Sequence, residues 1–598
     1  MIQCEHITFR YAGRKRPCLV DVSFEIAHGE TVLMLGPSGC GKSTLALCLN
    51  GLIPHVIEGE FTGSIRINGI DIRSLPISTA TQNVGLLFQD PDMQFCMLRV
   101  DDEIAFGLEN MRMPRDAMVE RVHAAMHLAG LMCVPSTRID TLSGGNKQRL
   151  ALACVLAMSP RVLVFDEPAS QLDPRATHHV VSMIEELKAR GEQTLVLIEH
   201  QLDHVMRLID RILVFGPDGT MLDDGEPHHV LERQGAELDR FGIWIPQVTE
   251  LATQLRHRGV TFDGLPITMD EAARTFRPLA DARPPAVPLP MASDGDVVIP
   301  PNRHSASGRQ DNSDAPPAVV IRNLSHRYGR SEPVLRDVSL TIPAGDFVGI
   351  VGPNGAGKST LAHHLIGTFR PPRGHIFLQG HDIRSMSSRS VSSIVGYVFQ
   401  NPEHQFVTST VFDELAYGLR LRARSESDVQ EQVRATLADF GLLALERANP
   451  FRLSHGEKRR LSVATMLVLG QDIVVLDEPT IGQDRRNAAM LMSICQRLHR
   501  SGKTIVMITH DMRLLAEYAR SVVVMVDGRV AFTGSPASLF EDAPLLAHAH
   551  LGVPPMLELS RLLFPDPKHY AFSSGAAWPA TVSSQVAALT PAPVVVTP

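Results

Sequence analysis

The sequence has no CxxC pair, no apolar run of membrane-spanning length and no excess of basic charge, and each absence removes a class of function. Eight cysteines, seven of them before residue 155, show neither zinc-ligand spacing nor a disulfide framework, which fits a reducing compartment. Apolar runs such as 150–158 and 473–476 fall far short of the roughly 20 residues a membrane helix needs, so work at a membrane would require other subunits to supply the span. A net charge of −8 argues against a nucleic-acid binder, because phosphate-backbone binding needs a basic surface. The start Met1-Ile2-Gln3-Cys4-Glu5 lacks the basic and apolar regions of a secretory signal, and the expectation is a protein that stays inside the cell.

What is present is a duplication. GPSGCGKST at 36–44 returns as GPNGAGKST at 352–360, and downstream Gln89 pairs with Gln400, Ser143 with Ser454, Asp166 with Asp477 and Asp173 with Asp484, each pair 311 residues apart. A repeat this long means two copies of a whole domain, since a solenoid repeats every few tens of residues. The first domain is placed at 1–245 and the second at 318–552. The linker, 246–317, begins with an amphipathic helix carrying Val248, Leu251 and Leu255 on one side, followed by TMDEAARTF with Thr268 as its N-cap. From 283 it turns rich in Pro, Ala, Asp and Ser and reads as a flexible tether. Residues 553–598 read as a tail, whose composition beyond 565 does not favour order.

In each copy, short continuous apolar runs precede the motifs: 31–35, 162–165 and 194–198, echoed by 347–351, 473–476 and 504–508. Such runs suit the buried centre of a parallel sheet, so the fold class is α/β with a P-loop core. Helices are predicted over 42–50 before Gly51 and 358–366 before Gly367, where glycine suits the position past the helix end.

In GxxxxGK[ST] the glycines let backbone N–H groups close around phosphates at a helix N-terminus. The first loop supplies Gly36, Ser38, Gly39, Cys40, Gly41, Lys42, Ser43 and Thr44; the second supplies Gly352, Asn354, Gly355, Ala356, Gly357, Lys358, Ser359 and Thr360. Lys42 and Lys358 would reach the phosphates, and Ser43 and Ser359 would ligate Mg²⁺. VLVFDEP and IVVLDEP each end a buried strand in two carboxylates: Asp166 or Asp477 suits Mg²⁺, and Glu167 or Glu478 suits polarising a water. His200 and His510 each follow another apolar strand. At Ser143-Gly144-Gly145 and Ser454-His455-Gly456 a second glycine-containing helix start offers another anion cradle.

Together these residues resemble the ATP-binding-cassette ATPases, over nearly everything except the tether and tail. The resemblance implies ATP and Mg²⁺ as cofactors, with Gln89 and Gln400 joining the metal site, and Tyr11 and Tyr328 as adenine-stacking aromatics. It also implies two tandem cassettes, each with a mainly parallel sheet, an antiparallel β subdomain and a helical subdomain, packed head to tail within the chain. In that packing the Ser143 loop closes over ATP held by the second copy, and the Ser454 loop over ATP held by the first.

The segments after the glutamines, FQDPDMQF and FQNPEHQF, followed by DEIAFGLEN and DELAYGL, resemble the ATPases of energy-coupling factor importers. That resemblance implies docking surfaces around 89–110 and 400–419, with Glu103 and Glu414 among them. Its expected partners are a transmembrane coupling subunit and a membrane-embedded substrate-binding subunit on the cytoplasmic side of the cell membrane. Its cargo class is a vitamin, a vitamin precursor, or a cobalt or nickel ion. The alternatives are a fused ATPase of peptide or sugar importers, whose glutamine loops usually continue differently or which often carry one degenerate phosphate loop, and a ribosome-associated double cassette, whose linker should be a charged helical hairpin rather than proline-rich.

Two departures break the symmetry of the copies. Cys40 stands where the second copy has Ala356, near a helix N-terminus that favours a reactive thiolate. His455 stands where the first copy has Gly144, and a side chain there obstructs close phosphate approach or, protonated, adds a donor. Unequal sites are therefore expected: His455→Gly should change turnover in a Lys358→Ala background and leave a Lys42→Ala background as it was. Equal responses in steady-state assays of the four variants would show the difference to be silent.

Overall fold

The computed structural model describes residues 1–142, 144–169, 172–257, 259–282, 316–329, 332–422 and 425–564. The tether expected from residue 283 falls outside them but for 316–317, and the tail from 565 falls outside them entirely.

Each copy is built on a six-stranded sheet. In the first, the order is Met221–Gly225, Arg211–Phe215, Thr31–Leu35, Thr194–Ile198, Val162–Asp166 and Val84–Leu87, parallel throughout except for the antiparallel outermost pair at Met221–Gly225. The second repeats it with Arg529–Gly534, Ser521–Val526, Phe347–Val351, Thr504–Ile508, Ile473–Asp477 and Val395–Val398. Central strands such as Thr31–Leu35 and Ile473–Asp477 are buried at every residue, which is why they read as unbroken apolar runs rather than alternating ones. A four-stranded antiparallel sheet lies beside each: Leu19–Ile26, Ile2–Tyr11, Gly59–Ile67 and Ile70–Asp71 in the first copy, and Leu335–Ile342, Val319–His326, Ile376–Leu378 and His381–Asp382 in the second. The helix Lys42–Asn50 ends at Gly51 with φ 85°, as predicted, and its counterpart Lys358–Leu365 stops one residue short of the expected end.

The linker helices form at Gln247–His257 and Met269–Ala282. Val248, Leu251 and Leu255 are all buried, and Phe276 packs edge-on against Phe262 at 5.4 Å. A further helix, Pro555–Leu563, lies inside the segment read as a tail. Its Leu557 and Leu559 are buried, and it packs on both linker helices. One buried apolar cluster thus runs from Leu33 and Phe165 in the first copy through Leu251 and Phe276 of the linker to Leu557 and Leu515 near the end of the second.

Across this seam Trp244 donates its indole N–H to the Gln483 carbonyl at 2.9 Å, and the Arg513 guanidinium lies 4.1 Å from its ring centroid. Arg485 meets Asp239 and Glu250, while its backbone N–H donates to the Gly242 carbonyl at 2.9 Å.

Candidate functional site

Each phosphate loop joins a buried central strand to a helix whose first residue is the motif lysine. Gly41 has φ +105°, and a Cβ there would sit 2.5 Å from the Cys18 carbonyl oxygen; at Gly357, φ +95°, it would meet Leu335 Cδ2 at 2.7 Å. Only glycine fits both the angle and the space. The lysines are buried and fold back on their own loops: Lys42 Nζ donates to the carbonyls of Gly36 (2.7 Å) and Pro37 (3.0 Å), and Lys358 Nζ to those of Gly352 (2.7 Å) and Pro353 (2.9 Å). Ser43 and Ser359 are exposed at the helix starts. The hydroxyls of Tyr11 and Thr44 lie 3.0 Å apart and those of Tyr328 and Thr360 3.1 Å, so each tyrosine is tied to the phosphate-loop helix. Around the second loop a cavity of about 190 Å³ is lined by Asn354, Lys358, Ser359, Gln400, Glu478 and His510, among others.

Beside each loop the strand ends in its two carboxylates. Glu167 and Glu478 have φ of 52° and 48°, the left-handed region that non-glycine residues rarely occupy and that costs roughly 1–3 kcal/mol. The turn persists because each glutamate N–H is bonded to the neighbouring strand, at Ile198 O (2.9 Å) and Ile508 O (3.0 Å). This turn aims the side chain at the histidine following that strand: His200 Nε2 is 3.1 Å from Glu167 Oε1, and His510 Nε2 is 3.3 Å from Glu478 Oε1. Gln89 Nε2 donates to Glu167 Oε2 at 2.8 Å.

Burial shapes the charge here. Asp166 is pushed up to about 6 by desolvation, opposed by a hydrogen bond with Ser43. Glu478 is pushed up by burial and by its neighbour Asp477, against the pull of Lys358. His510 is pushed down to about 3 by burial and by Lys358, and is therefore a neutral ring at physiological pH.

The copies meet at these motifs. Asp173 and Asp484 each cap the helix that follows, accepting from Ala176 N–H (2.9 Å) and Asn487 N–H (2.8 Å) through one carboxylate oxygen. The other oxygen of each crosses to the opposite copy: Asn354 N–H donates to Asp173 Oδ2 (3.4 Å), and Ser38 N–H to Asp484 Oδ2 (3.2 Å). A Cβ built on Gly145 would lie 3.2 Å from Asn354 Nδ2, which sets the first signature helix, Gly144–Ala157, against the second phosphate loop. Ser143 lies outside the described residues. Ser454 caps the helix His455–Leu467 in a capping box with Glu457, and Gly456 is packed so that a Cβ would reach Asn487 Nδ2 at 2.7 Å. The His455 side chain lies outside the described residues.

A sequence profile described as ABC transporter matches residues 19–170 and 335–481. A Bacillus subtilis (strain 168) protein named "Putative HMP/thiamine import ATP-binding protein YkoD" is 39% identical over 560 residues, covering 93% of this chain and 96% of that protein. This chain belongs to the ABC transporter family. A "Putative ABC transporter ATP-binding protein" of Methanosarcina acetivorans is 38% identical over 556 residues, covering 93% of this chain and 89% of that protein. The solved structure of cbiO1 from Clostridium perfringens, titled as part of the ABC transporter complex cbiONQ, is 26% identical, with 42% of this chain and 98% of that chain covered and a TM-score of 0.36. The protein is thus a tandem ABC ATPase that binds and hydrolyses ATP. Among the described residues no helix is long and apolar enough to cross a membrane.

Structure alters two expectations about single residues. Cys40 is only 2% exposed, with its sulfur 3.8 Å from Lys42 Nζ, so the access that reagent modification requires is not there. Glu103 and Glu414 are buried and brace the loops before their helices. Glu103 accepts from the backbone N–H groups of Cys96 (3.0 Å) and Met97 (2.6 Å), and Glu414 from those of Val407 (3.1 Å) and Thr408 (2.8 Å). The apolar surface they hold up is exposed instead: Met93, Leu98 and Phe106 in the first copy, and Val407, Tyr417 and Leu421 in the second.

Sequence reasoning also passed over Glu199, which stands where the second copy has Thr509. It accepts from the backbone N–H groups of Ala169 and His200, both at 3.2 Å, and is pushed up to about 8 by burial and by Glu167 nearby. Its signal was legible as an acid directly before a motif histidine. Because its folded value exceeds the ordinary carboxylate value, its contribution to stability is fullest below about pH 4.5 and is lost as pH rises through about 8. Glu199→Gln should therefore gain melting temperature relative to the parent between pH 5 and pH 9. A melting-temperature difference, variant minus parent, that stays constant or falls across that range in scanning calorimetry would refute the assignment.

Proposed function

We propose that this chain is the ATP-hydrolysing subunit of an energy-coupling factor importer for a vitamin, a vitamin precursor, or a cobalt or nickel ion. The carrying observation is the presence of a complete glutamate–histidine pair beside an intact phosphate loop in both copies, Glu167–His200 and Glu478–His510. The glutamine-loop segments and the HMP/thiamine import in the Bacillus relative's name support the importer class.

In this reading the N–H groups of 38–43 and 354–359, with Lys42 and Lys358, bind the phosphates, and the half-buried ring of Tyr11 and the exposed ring of Tyr328 receive the base. The donor set suits a hard divalent cation: the buried Asp166 carboxylate, already hydrogen-bonded to the exposed hydroxyl-bearing Ser43. Mg²⁺ takes one or two carboxylates and completes its shell with phosphates and water. Ser43, Gln89 and Asp166, and Ser359, Gln400 and Asp477, would hold that Mg²⁺, whose charge neutralises the phosphates. Glu167 and Glu478 orient the attacking water and accept its proton, and the histidines, held 3.1 and 3.3 Å away, fix their rotamers. The Ser143-Gly144-Gly145 and Ser454-His455-Gly456 loops close over the opposite copy's nucleotide. A transmembrane coupling subunit docks on the apolar surfaces around Leu98 and Val407 and holds the protein at the cytoplasmic face of the membrane, beside the substrate-binding subunit.

Replacing Glu167 and Glu478 together by Gln should leave ATP binding within threefold while lowering steady-state turnover by at least about 100-fold. Turnover near the parent's would remove these carboxylates from the mechanism. With copurified membrane subunits, Leu98→Asp combined with Val407→Asp should abolish transport into proteoliposomes and release the ATPase from the complex. Retained transport would place the docking surface elsewhere.

A further inference from the structure

Among the buried positions at which the helices Gly144–Ala157 and His455–Leu467 differ, one reaches two other segments of its own cassette in the second copy. In the second copy, Arg459 is 2% exposed and is among the largest fully buried side chains of the described residues. Its guanidinium has five N–H donors, and all five are used on backbone carbonyls. Nε donates to Pro479 (2.9 Å), one terminal nitrogen to Phe399 and Gln400 (2.9 Å for Gln400), and the other to Asp477 (3.2 Å) and Glu478. Those carbonyls belong to two separate segments, the start of the glutamine loop and the Asp477-Glu478-Pro479 turn. In the first copy, Gln148 occupies the equivalent place, also buried, and neither atom of its amide has a hydrogen-bond partner among the described residues.

We infer that Arg459 is a positioning residue for hydrolysis at the Lys358 site, fastening the glutamine loop to the turn that carries Glu478, and that the Lys42 site lacks this fastening. The inference rests on the carboxylate reading above. The geometry supports it in three ways. Arg459 touches no phosphate-loop atom among its hydrogen bonds, so it acts through the turn and not on ATP itself. The turn it grips holds Glu478 in a left-handed backbone conformation, which survives only where surrounding bonds over-determine it. Tyr397 adds a second restraint on the same side, donating to Asp477 Oδ2 at 2.7 Å where the first copy has Leu86. The Lys358 site thus has its glutamine loop and carboxylate turn joined through a buried guanidinium, whereas at the Lys42 site the two are joined by the side-chain bond from Gln89 Nε2 to Glu167 Oε2.

The test isolates the Lys358 site with Glu167→Gln in the full chain and then adds Arg459→Gln, the residue of the first copy. The expected result is a fall in kcat of at least tenfold with KM for ATP and equilibrium ATP binding changed less than threefold. Arg459→Lys, which keeps the buried charge but has only three donors, should recover part of the loss and guards against misfolding of the glutamine variant. In the mirror background, Glu478→Gln, the Arg459→Gln change should alter kcat less than threefold. Unchanged kcat in the Glu167→Gln background, or an equal loss of binding and turnover, overturns the inference. Failure of the carboxylate reading is separate: it would show as parent-like turnover in the Glu167→Gln, Glu478→Gln double variant before Arg459 is touched.

Discussion

The arrangement depends on two aspartates that each do two jobs with two oxygens. One oxygen of Asp173 or Asp484 caps its own helix, a bond worth on the order of 1 kcal/mol; the other meets a backbone N–H in the opposite copy's phosphate loop. A single rigid carboxylate therefore fixes a helix start and a foreign phosphate loop at a distance set by its own bond lengths. Any movement that opens the seam between the copies must break the second bond while leaving the first intact.

The chemistry was legible because phosphate recognition constrains residue type at fixed spacing. A helix N-terminus with bare backbone N–H groups demands glycine, and the demand appears as letters at Gly41 and Gly357. Fully buried parallel strands demand unbroken apolar runs, and these marked Thr31–Leu35 and Ile473–Asp477 in advance. Recurrence of the same motifs in both copies singled out the carboxylates and the histidines, and the structure brings Glu167 to His200 and Glu478 to His510.

Two of the features that stayed hidden have the same cause: the partner is backbone. Glu103 and Glu414 look like surface charges at helix starts, yet they turn inward to collect loop N–H groups that carry no side-chain signature. Arg459 looks like one more base in a basic helix turn, and five carbonyls bury it. The helix Pro555–Leu563 read as a tail because its apolar face is covered by the linker helices, elements nearly 300 residues earlier that no local pattern associates with it.

The apolar cluster that runs through both copies and the linker has a consequence for how such a machine can diverge. In an assembly of two identical chains every substitution appears twice, so a change that suits one active centre is imposed on the other. Here the halves are joined covalently and share one hydrophobic interior, and they can never be exchanged between molecules. Each position then becomes two independent choices, which is how Tyr397 and Arg459 can stand opposite Leu86 and Gln148 and a leading and a following centre can be written into one gene product.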